Sequence, residues 1–139
     1  MVCVDWDFLD TAHTIGEALE GAGLDQRAFS AWLLDLVAAQ GLDRRTVIKR
    51  SRLNQTFAYQ IFAGTRRPSR DKLVQLTFGL NLNVMQACEL LQRGSVSALL
   101  PTCRRDVIIA YCLHHGLDVG ACDDLLWDLN ERTLMQPDA

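Results

Sequence analysis

Apolar residues recur along this chain at intervals of three and four, the spacing that places them on one face of an α-helix. In residues 26–40 this spacing is kept by a single stripe: Phe29, Trp32, Leu33, Leu36 and Val37. No stretch alternates apolar and polar residues for long enough to predict a β-strand. The pattern therefore predicts an all-α protein.

The same spacing predicts a first helix in residues 1–24, with Phe8, Ala12, Ile15 and Leu19 on one face and Gly21 and Gly23 at its end. Further along, each predicted helix follows a small polar residue whose side chain can accept hydrogen bonds from the free amides of a helix start. These predicted caps are Asp25, Asp43, Asn54, Ser69 and Asn83. Gln86 stands three residues after Asn83, which is the spacing of a capping box.

Residues 70–91 align without gaps to residues 105–126, and both segments begin with Arg-Asp and end with Leu-Leu. A duplication and shared capping chemistry both explain so few identities. Either way, the C-terminal third predicts a helical hairpin with one apolar stripe: Ile108, Ile109, Cys112, Leu117, Val119, Cys122, Leu125, Leu126 and Leu129. The link at 94–102, which contains Pro101, is the expected boundary between the two copies.

Charge is distributed unevenly along the 139 residues, although the net charge is only -3. Residues 43–72 contain nine basic and two acidic residues, whereas residues 1–42 and 73–139 are both acidic overall. A run of charge is often just a solvated helix face. Here the positive charge coincides with the most informative pattern of the chain, which favours a role in binding a polyanion.

That pattern is a short helix ending near Ser51, a tight link over Arg52 and Leu53, and a second helix from Asn54 to Gly64. A basic loop, residues 65–69, follows it. The segment resembles the Cro/λ-repressor type of helix-turn-helix domain, the xenobiotic-response-element family. The resemblance implies a λ-repressor-like domain over residues 25–93, between an N-terminal helical extension (1–24) and a C-terminal helical hairpin (94–139).

The resemblance also implies which residues contact double-stranded DNA. The first turn of the second helix would read bases in the major groove through Gln55, Thr56 and Gln60. Contacts to phosphate are expected from Arg44, Arg45, Lys49, Arg52, Tyr59, Thr65, Arg66 and Arg67. Members of the family often carry glycine where this chain has Arg52. Because one such helix reads few base pairs, a homodimer is expected, acting as a transcriptional regulator in a bacterium or a mobile element.

Phe57 and Phe62 flank the expected reading face, where the family generally has polar residues. Two interpretations remain open: they fill the core, or they form a surface for a protein partner. The second would make the chain a protein-interaction module that keeps the fold without reading DNA, with the acidic terminal regions as further contact surfaces.

Other classes of function find little support in the sequence. There is no glycine-rich phosphate loop and no hydrolase or metalloprotease motif, so neither a catalytic residue nor a cofactor is predicted. His114 and His115 near Cys112 lack the compact spacing of a zinc site, and no metal is expected. The five cysteines form no CxxC pair. Without an apolar run of membrane-spanning length or a secretion signal, the expected location is the cytoplasm.

Overall fold

The computed structural model describes residues 6–22 and 28–135, and within these ranges the chain is all-helical. The described residues form nine helices and no strand. They are α1 (Phe8–Thr11), α2 (Ile15–Gly21), α3 (Phe29–Ala39), α4 (Arg44–Ser51), α5 (Gln55–Ala63), α6 (Arg70–Gly79), α7 (Val84–Arg93), α8 (Arg104–His114) and α9 (Val119–Asp128). The predicted all-α class is confirmed.

Helix α6 is the centre of the structure, because every residue from 73 to 80 is buried. Helices α4, α7 and α9 all pack against it, and α3 packs against α5. The stripe predicted for residues 26–40 faces this core: Leu33 and Val37 are buried, and Phe29, Trp32 and Leu36 pack against the buried cluster. The part of α6 from Leu73 onward is buried on all sides and therefore has neighbours on all sides, whereas its charged first turn is partly exposed.

The N-terminal region is not the single helix that its apolar spacing predicts. Thr14 interrupts it, because its side chain accepts a hydrogen bond from the backbone amide of Glu17 and starts a new helix there. The carboxylate of Glu17 in turn accepts from the amide of His13 at 2.7 Å. Two short helices, α1 and α2, pack on each other, and Ile15 and Leu19 remain exposed.

Most of the predicted helix caps are confirmed. The side chains of Asp43, Asn54, Ser69 and Asn83 each accept a hydrogen bond from a first-turn amide, and Asn83 and Gln86 form a complete capping box. The predicted cap at Asp25 lies outside the described residues.

One type of corner joins the helices four times. A residue with positive φ is followed by a leucine and then by the Asn or Asp that caps the next helix; the four are Gly41, Arg52, Asn81 and Gly116. Three of these positions suit a left-handed backbone, because glycine and asparagine adopt it at little cost. Arg52, with φ of 56°, is the exception.

The internal repeat seen in the sequence is present in the structure. Hairpin α6–α7 and hairpin α8–α9 have their corners at equivalent positions, Asn81 and Gly116, and the amide of the following leucine bonds back to Thr77 in one and to Cys112 in the other. The equivalent residues are 35 positions apart in each case.

The repeat extends to the arginines that begin α6 and α8. Arg70 donates to the backbone carbonyls of residues 97 and 98, and Arg105 donates to those of residues 132 and 133. Each arginine also pairs with the aspartate of the other hairpin, Arg70 with Asp106 at 2.9 Å and Arg105 with Asp71 at 2.9 Å. These crossed ion pairs span the predicted boundary at 94–102 and hold the two hairpins together.

The C-terminal hairpin buries most of the stripe predicted for it, including Ile109, Cys112, Val119, Cys122 and Leu126. The prediction that Leu129 belongs to this apolar stripe is wrong, because α9 ends at Asp128 and Leu129 is exposed beyond its last turn. None of the described helices has the length and apolarity needed to cross a bilayer.

Candidate nucleic-acid interface

The turn between α4 and α5 places the start of α5 at the surface. The link is Arg52, which ends α4 with a left-handed backbone, and Leu53, whose side chain is buried and anchors the turn. The side chain of Asn54 then accepts a hydrogen bond from the amide of Phe57 at 3.1 Å and starts the new helix. Asn54 and the two residues after it are exposed.

Beneath this turn lies a contact that the sequence did not predict. The amide nitrogen of Gln75, buried in α6, donates to the backbone carbonyl of Ser51 at 3.0 Å. A buried amide in an otherwise apolar helix is costly unless it makes such a bond. A single glutamine within the apolar run Leu73–Leu80 was the available signal, because a buried amide indicates a nearby backbone group to satisfy.

Helix α5 divides into an inner and an outer face. Ala58, Ile61 and Phe62 are buried in the core, so Phe62 fills core space, one of the two interpretations left open for it. The three residues predicted to read bases lie elsewhere on the helix: Gln55 and Thr56 are exposed, and Gln60 is half-buried. Two of the predicted base-reading residues, Gln55 and Thr56, therefore lie in the exposed first turn of α5. The third, Gln60, lies further along the helix and is partly covered.

The two aromatic residues of α5 that are partly covered each have an arginine over the ring. The guanidinium of Arg66 lies 5.0 Å from the ring centre of Phe57, and that of Arg44 lies 5.7 Å from the ring centre of Tyr59. Both separations allow a cation–π contact, worth about 0.5–1 kcal/mol at an exposed site. Two guanidinium groups are thus held beside the helix that carries the predicted base-reading residues.

The loop after α5 begins with Gly64, whose φ of 79° is one that glycine adopts easily. Both the amide and the hydroxyl of Thr65 donate to the carbonyl of Gln60 and close the helix end. Arg66 and Arg67 follow and are exposed. Both hydrogen-bond donors of Thr65 are engaged in these bonds, so the guanidinium groups of Arg66 and Arg67 are the donors of the loop that remain for an external anion.

The arginines of the described chain fall into two groups. Those of the central and C-terminal helices each lie within 4.0 Å of a carboxylate: Arg70, Arg93, Arg104, Arg105 and Arg132. The basic residues between 44 and 67 form no such pair with any carboxylate in the described ranges; they are Arg44, Arg45, Lys49, Arg50, Arg52, Arg66 and Arg67. Their positive charge is therefore available to an external anion.

These unpaired cations do not all lie on one surface. Arg44 stacks on Tyr59 of α5, whereas Arg45, Lys49, Arg50 and Arg52 line a separate cleft between α4 and the α8–α9 corner. Arg50 was missing from the predicted site residues. The sequence pattern did not indicate that Arg50 lies beside Arg45, Lys49 and Arg52; the fold brings these four side chains to one cleft.

Metal ligands do not come together in the described part of the chain, where no group of three or more His, Cys, Asp or Glu side chains could hold an ion. His114 and His115 are exposed, whereas Cys112 and Cys122 are buried. Burial raises the pKa of both thiols, and in Cys122 the neighbouring Cys112 adds to this effect.

Comparisons with protein-family models, with curated proteins and with solved structures find no significant match for this chain.

Proposed function

We propose that this protein binds double-stranded DNA sequence-specifically, with the first turn of α5 in the major groove. The observation that carries the proposal is the open polar start of α5 beside basic side chains without carboxylate partners. Affinity for DNA comes largely from neutralising phosphates, and specificity comes from side chains that reach base edges. The chain offers both kinds of group at one surface.

Base reading is assigned to Gln55, Thr56 and Gln60. A glutamine amide presents a donor and an acceptor together, which matches N6 and N7 of adenine. A threonine offers a hydroxyl for a base edge and a methyl group for contact with thymine. Because α5 is fixed from below by Ala58 and Ile61, these side chains would enter the groove on a rigid support.

Phosphate contacts are assigned to the groups on either side of α5. Arg44 and Tyr59 lie together on one side, where a guanidinium and a phenol can both donate to phosphate oxygens. On the other side the exposed Arg66 and Arg67 supply the cationic groups, and Thr65 orders their loop through its two bonds to the carbonyl of Gln60. Stacking on an aromatic ring reduces the freedom that an arginine loses when it binds.

We also propose a homodimer, since one helix reads too few base pairs for a unique site and two-fold symmetric sites are the usual solution. We place the protein among transcriptional regulators of a bacterium or a mobile element, acting in the cytoplasm. The family resemblance carries this part of the proposal.

An exposed pair of aromatic rings was one support for the protein-interaction alternative, beside the acidic total charge and the C-terminal hairpin. Phe62 is only 2% exposed, and the ring of Phe57 packs against the core with Arg66 over it. Both observations favour DNA binding over that alternative, for which the acidic terminal regions remain as contact surfaces.

The test is selection of bound fragments from random duplex DNA, repeated with variants. Gln55→Ala and Gln60→Ala should each cost about 1–3 kcal/mol at the selected site and relax the base preference there. Gln92→Ala, an exposed glutamine on α7, is the matched control and should change nothing.

Arg66→Ala should weaken binding to all duplexes alike and lower the slope of log K against log salt by about one unit. Arg104→Ala, an exposed arginine already paired with Glu131, should leave the slope as it is. If the wild type retains no duplex in a salt-dependent way at low ionic strength, the proposal is wrong.

A further inference from the structure

A second basic site lies away from the open first turn of α5. It is a cleft of about 940 Å³ between α4, the end of α6 and the α8–α9 corner, here called the α4 cleft. Its lining consists of Arg45, Thr46, Lys49, Arg50, Arg52, Phe78, Asn81, Gly116, Leu117 and Asp118. Four of these side chains are cationic and one is acidic.

The acidic groups near the α4 cleft do not neutralise it. One carboxylate oxygen of Asp118 accepts a hydrogen bond from the amide of Ala121 at 2.8 Å, and no cation of the cleft lies within ion-pair distance. Asp43, at the start of α4, is engaged by the amide of Thr46 at 2.7 Å and attracts Arg45 only weakly. Like charges gathered in this way repel each other unless an anion joins them.

Two unusual residues fit together at the edge of this cleft. Arg52 has a positive φ at a corner where glycine or asparagine would be less strained. Gly120 is the second residue of α9, where alanine would also be favoured, by less than the roughly 1 kcal/mol of a helix interior. A Cβ added at Gly120 would lie 3.2 Å from three atoms of the Arg52 guanidinium. The equivalent position of the other hairpin is Met85, so the hairpin itself does not require glycine there.

Each of these two residues is locally unfavourable, and the absence of a side chain at Gly120 leaves room for the exposed Arg52 guanidinium between α4 and the C-terminal hairpin. Among the described residues this guanidinium forms no ion pair with a carboxylate, so its charge is available to an anion in the cleft.

We propose that the α4 cleft binds a small molecule that carries two or more phosphate groups. Arginine and lysine bind phosphate through charge-assisted hydrogen bonds, and four cations match the charge of a di- or triphosphate. The volume is in the range of ligand pockets, and Leu117 and Phe78 offer an apolar surface beside the cations for the rest of the molecule. A compact anion can touch the α4 wall and the wall formed by the α8–α9 corner at once.

This assignment goes beyond the proposed DNA contacts and takes Arg45, Lys49 and Arg52 from the set of residues predicted to touch DNA phosphates. It does not depend on DNA binding, because the cleft and its charges exist whether or not α5 reads bases.

The experiment titrates the full chain with inorganic tripolyphosphate by calorimetry at fixed ionic strength, with sulfate as the comparison anion. Tripolyphosphate should bind at least tenfold more tightly than sulfate. Arg52→Gly removes the guanidinium and relieves the backbone, so it should fold at least as well as the wild type while binding about tenfold more weakly. Lys49→Ala should weaken binding to a similar degree, and Arg104→Ala should not.

A second variant acts through the contact rather than through the charge. Gly120→Ala keeps all four cations but displaces the Arg52 guanidinium, and it should weaken tripolyphosphate binding several-fold. If Arg52→Gly binds tripolyphosphate as tightly as the wild type, or if tripolyphosphate binds no better than sulfate, the inference is wrong.

Duplex DNA separates this inference from the proposed function. Arg66→Ala should lower duplex affinity and keep tripolyphosphate affinity. If Arg66→Ala loses both equally, the anion binds a diffuse basic surface and the α4 cleft is not a site. If the wild type binds duplex DNA but not tripolyphosphate, the phosphate site is wrong and the proposed DNA binding stands. If it binds tripolyphosphate but not duplex DNA, the proposed DNA binding is wrong and the phosphate site stands.

Discussion

The close contact between α6 and α4 at Gly79 predicts a loss of stability for Gly79→Ala. Gly79 ends α6 where α4 crosses it. A Cβ there would lie 2.1 Å from the hydroxyl of Ser51 and 2.6 Å from the backbone carbonyl oxygen of Val47. Because a carbonyl in a helix cannot rotate away, α4 must move by roughly 0.8 Å to restore an ordinary contact of 3.4 Å.

The magnitude follows from two opposed effects. Overpacking a tight interface costs about 1–3 kcal/mol, and the displacement also strains the hydrogen bond from Gln75 to the carbonyl of Ser51. Alanine in a helix is worth up to about 1 kcal/mol over glycine, and less at a helix end. We expect Gly79→Ala to lower the free energy of unfolding by about 2 kcal/mol.

The measurement is urea denaturation followed by circular dichroism. Gly120→Ala is the control, because its Cβ meets only the end of a flexible arginine and should leave stability equal or slightly higher. Ser51→Ala in the Gly79→Ala background removes the nearer contact but leaves the carbonyl, so it should restore only part of the loss. Equal or greater stability of Gly79→Ala would refute the reasoning.

Three further predictions concern other parts of the molecule. Arg105→Ala should lower the free energy of unfolding by about 1.5–3 kcal/mol in urea denaturation, because the mostly buried carboxylate of Asp71 loses two hydrogen bonds and keeps only the exposed Arg132; an unchanged midpoint would contradict it. The hydrogen bond from the amide of Thr46 lowers the pKa of Asp43. The ionised carboxylate therefore stabilises the folded state at neutral pH, and this stabilisation is lost as pH falls below the usual aspartate pKa. Asp43→Asn, which caps without titrating, should flatten that part of the pH–stability curve. A thiol reagent should modify Cys88 before the buried Cys112, whose pKa burial raises, and mass spectrometry of short reaction times would show the order.

Capping chemistry was enough to place the starts of α4 to α7, because that signal is local. Apolar spacing predicted the C-terminal hairpin but not its bounds, since α8 begins without a side-chain cap. The interruption of the first predicted helix was also readable. Thr14 and Glu17 have the spacing of a capping box, a local signal that a helix starts inside the apolar stripe.

The arrangement of the basic residues was beyond the sequence. Nothing in the order Arg44, Arg45 indicates that the first stacks on Tyr59 while the second lines the α4 cleft. The fit of Arg52 over Gly120 joins residues 68 positions apart, and periodicity carries no information about such a contact. Spacing predicts which face of a helix a residue occupies, whereas the neighbour it meets depends on packing.

The crossed pairs between Arg70 and Asp106 and between Arg105 and Asp71 have a mechanical consequence. Separating the hairpins would strand four charges at once, so they should behave as one rigid block and melt in a single step. Because α4 packs on α6, we expect a displacement of the C-terminal hairpin to move α4 and the turn before α5 together with it.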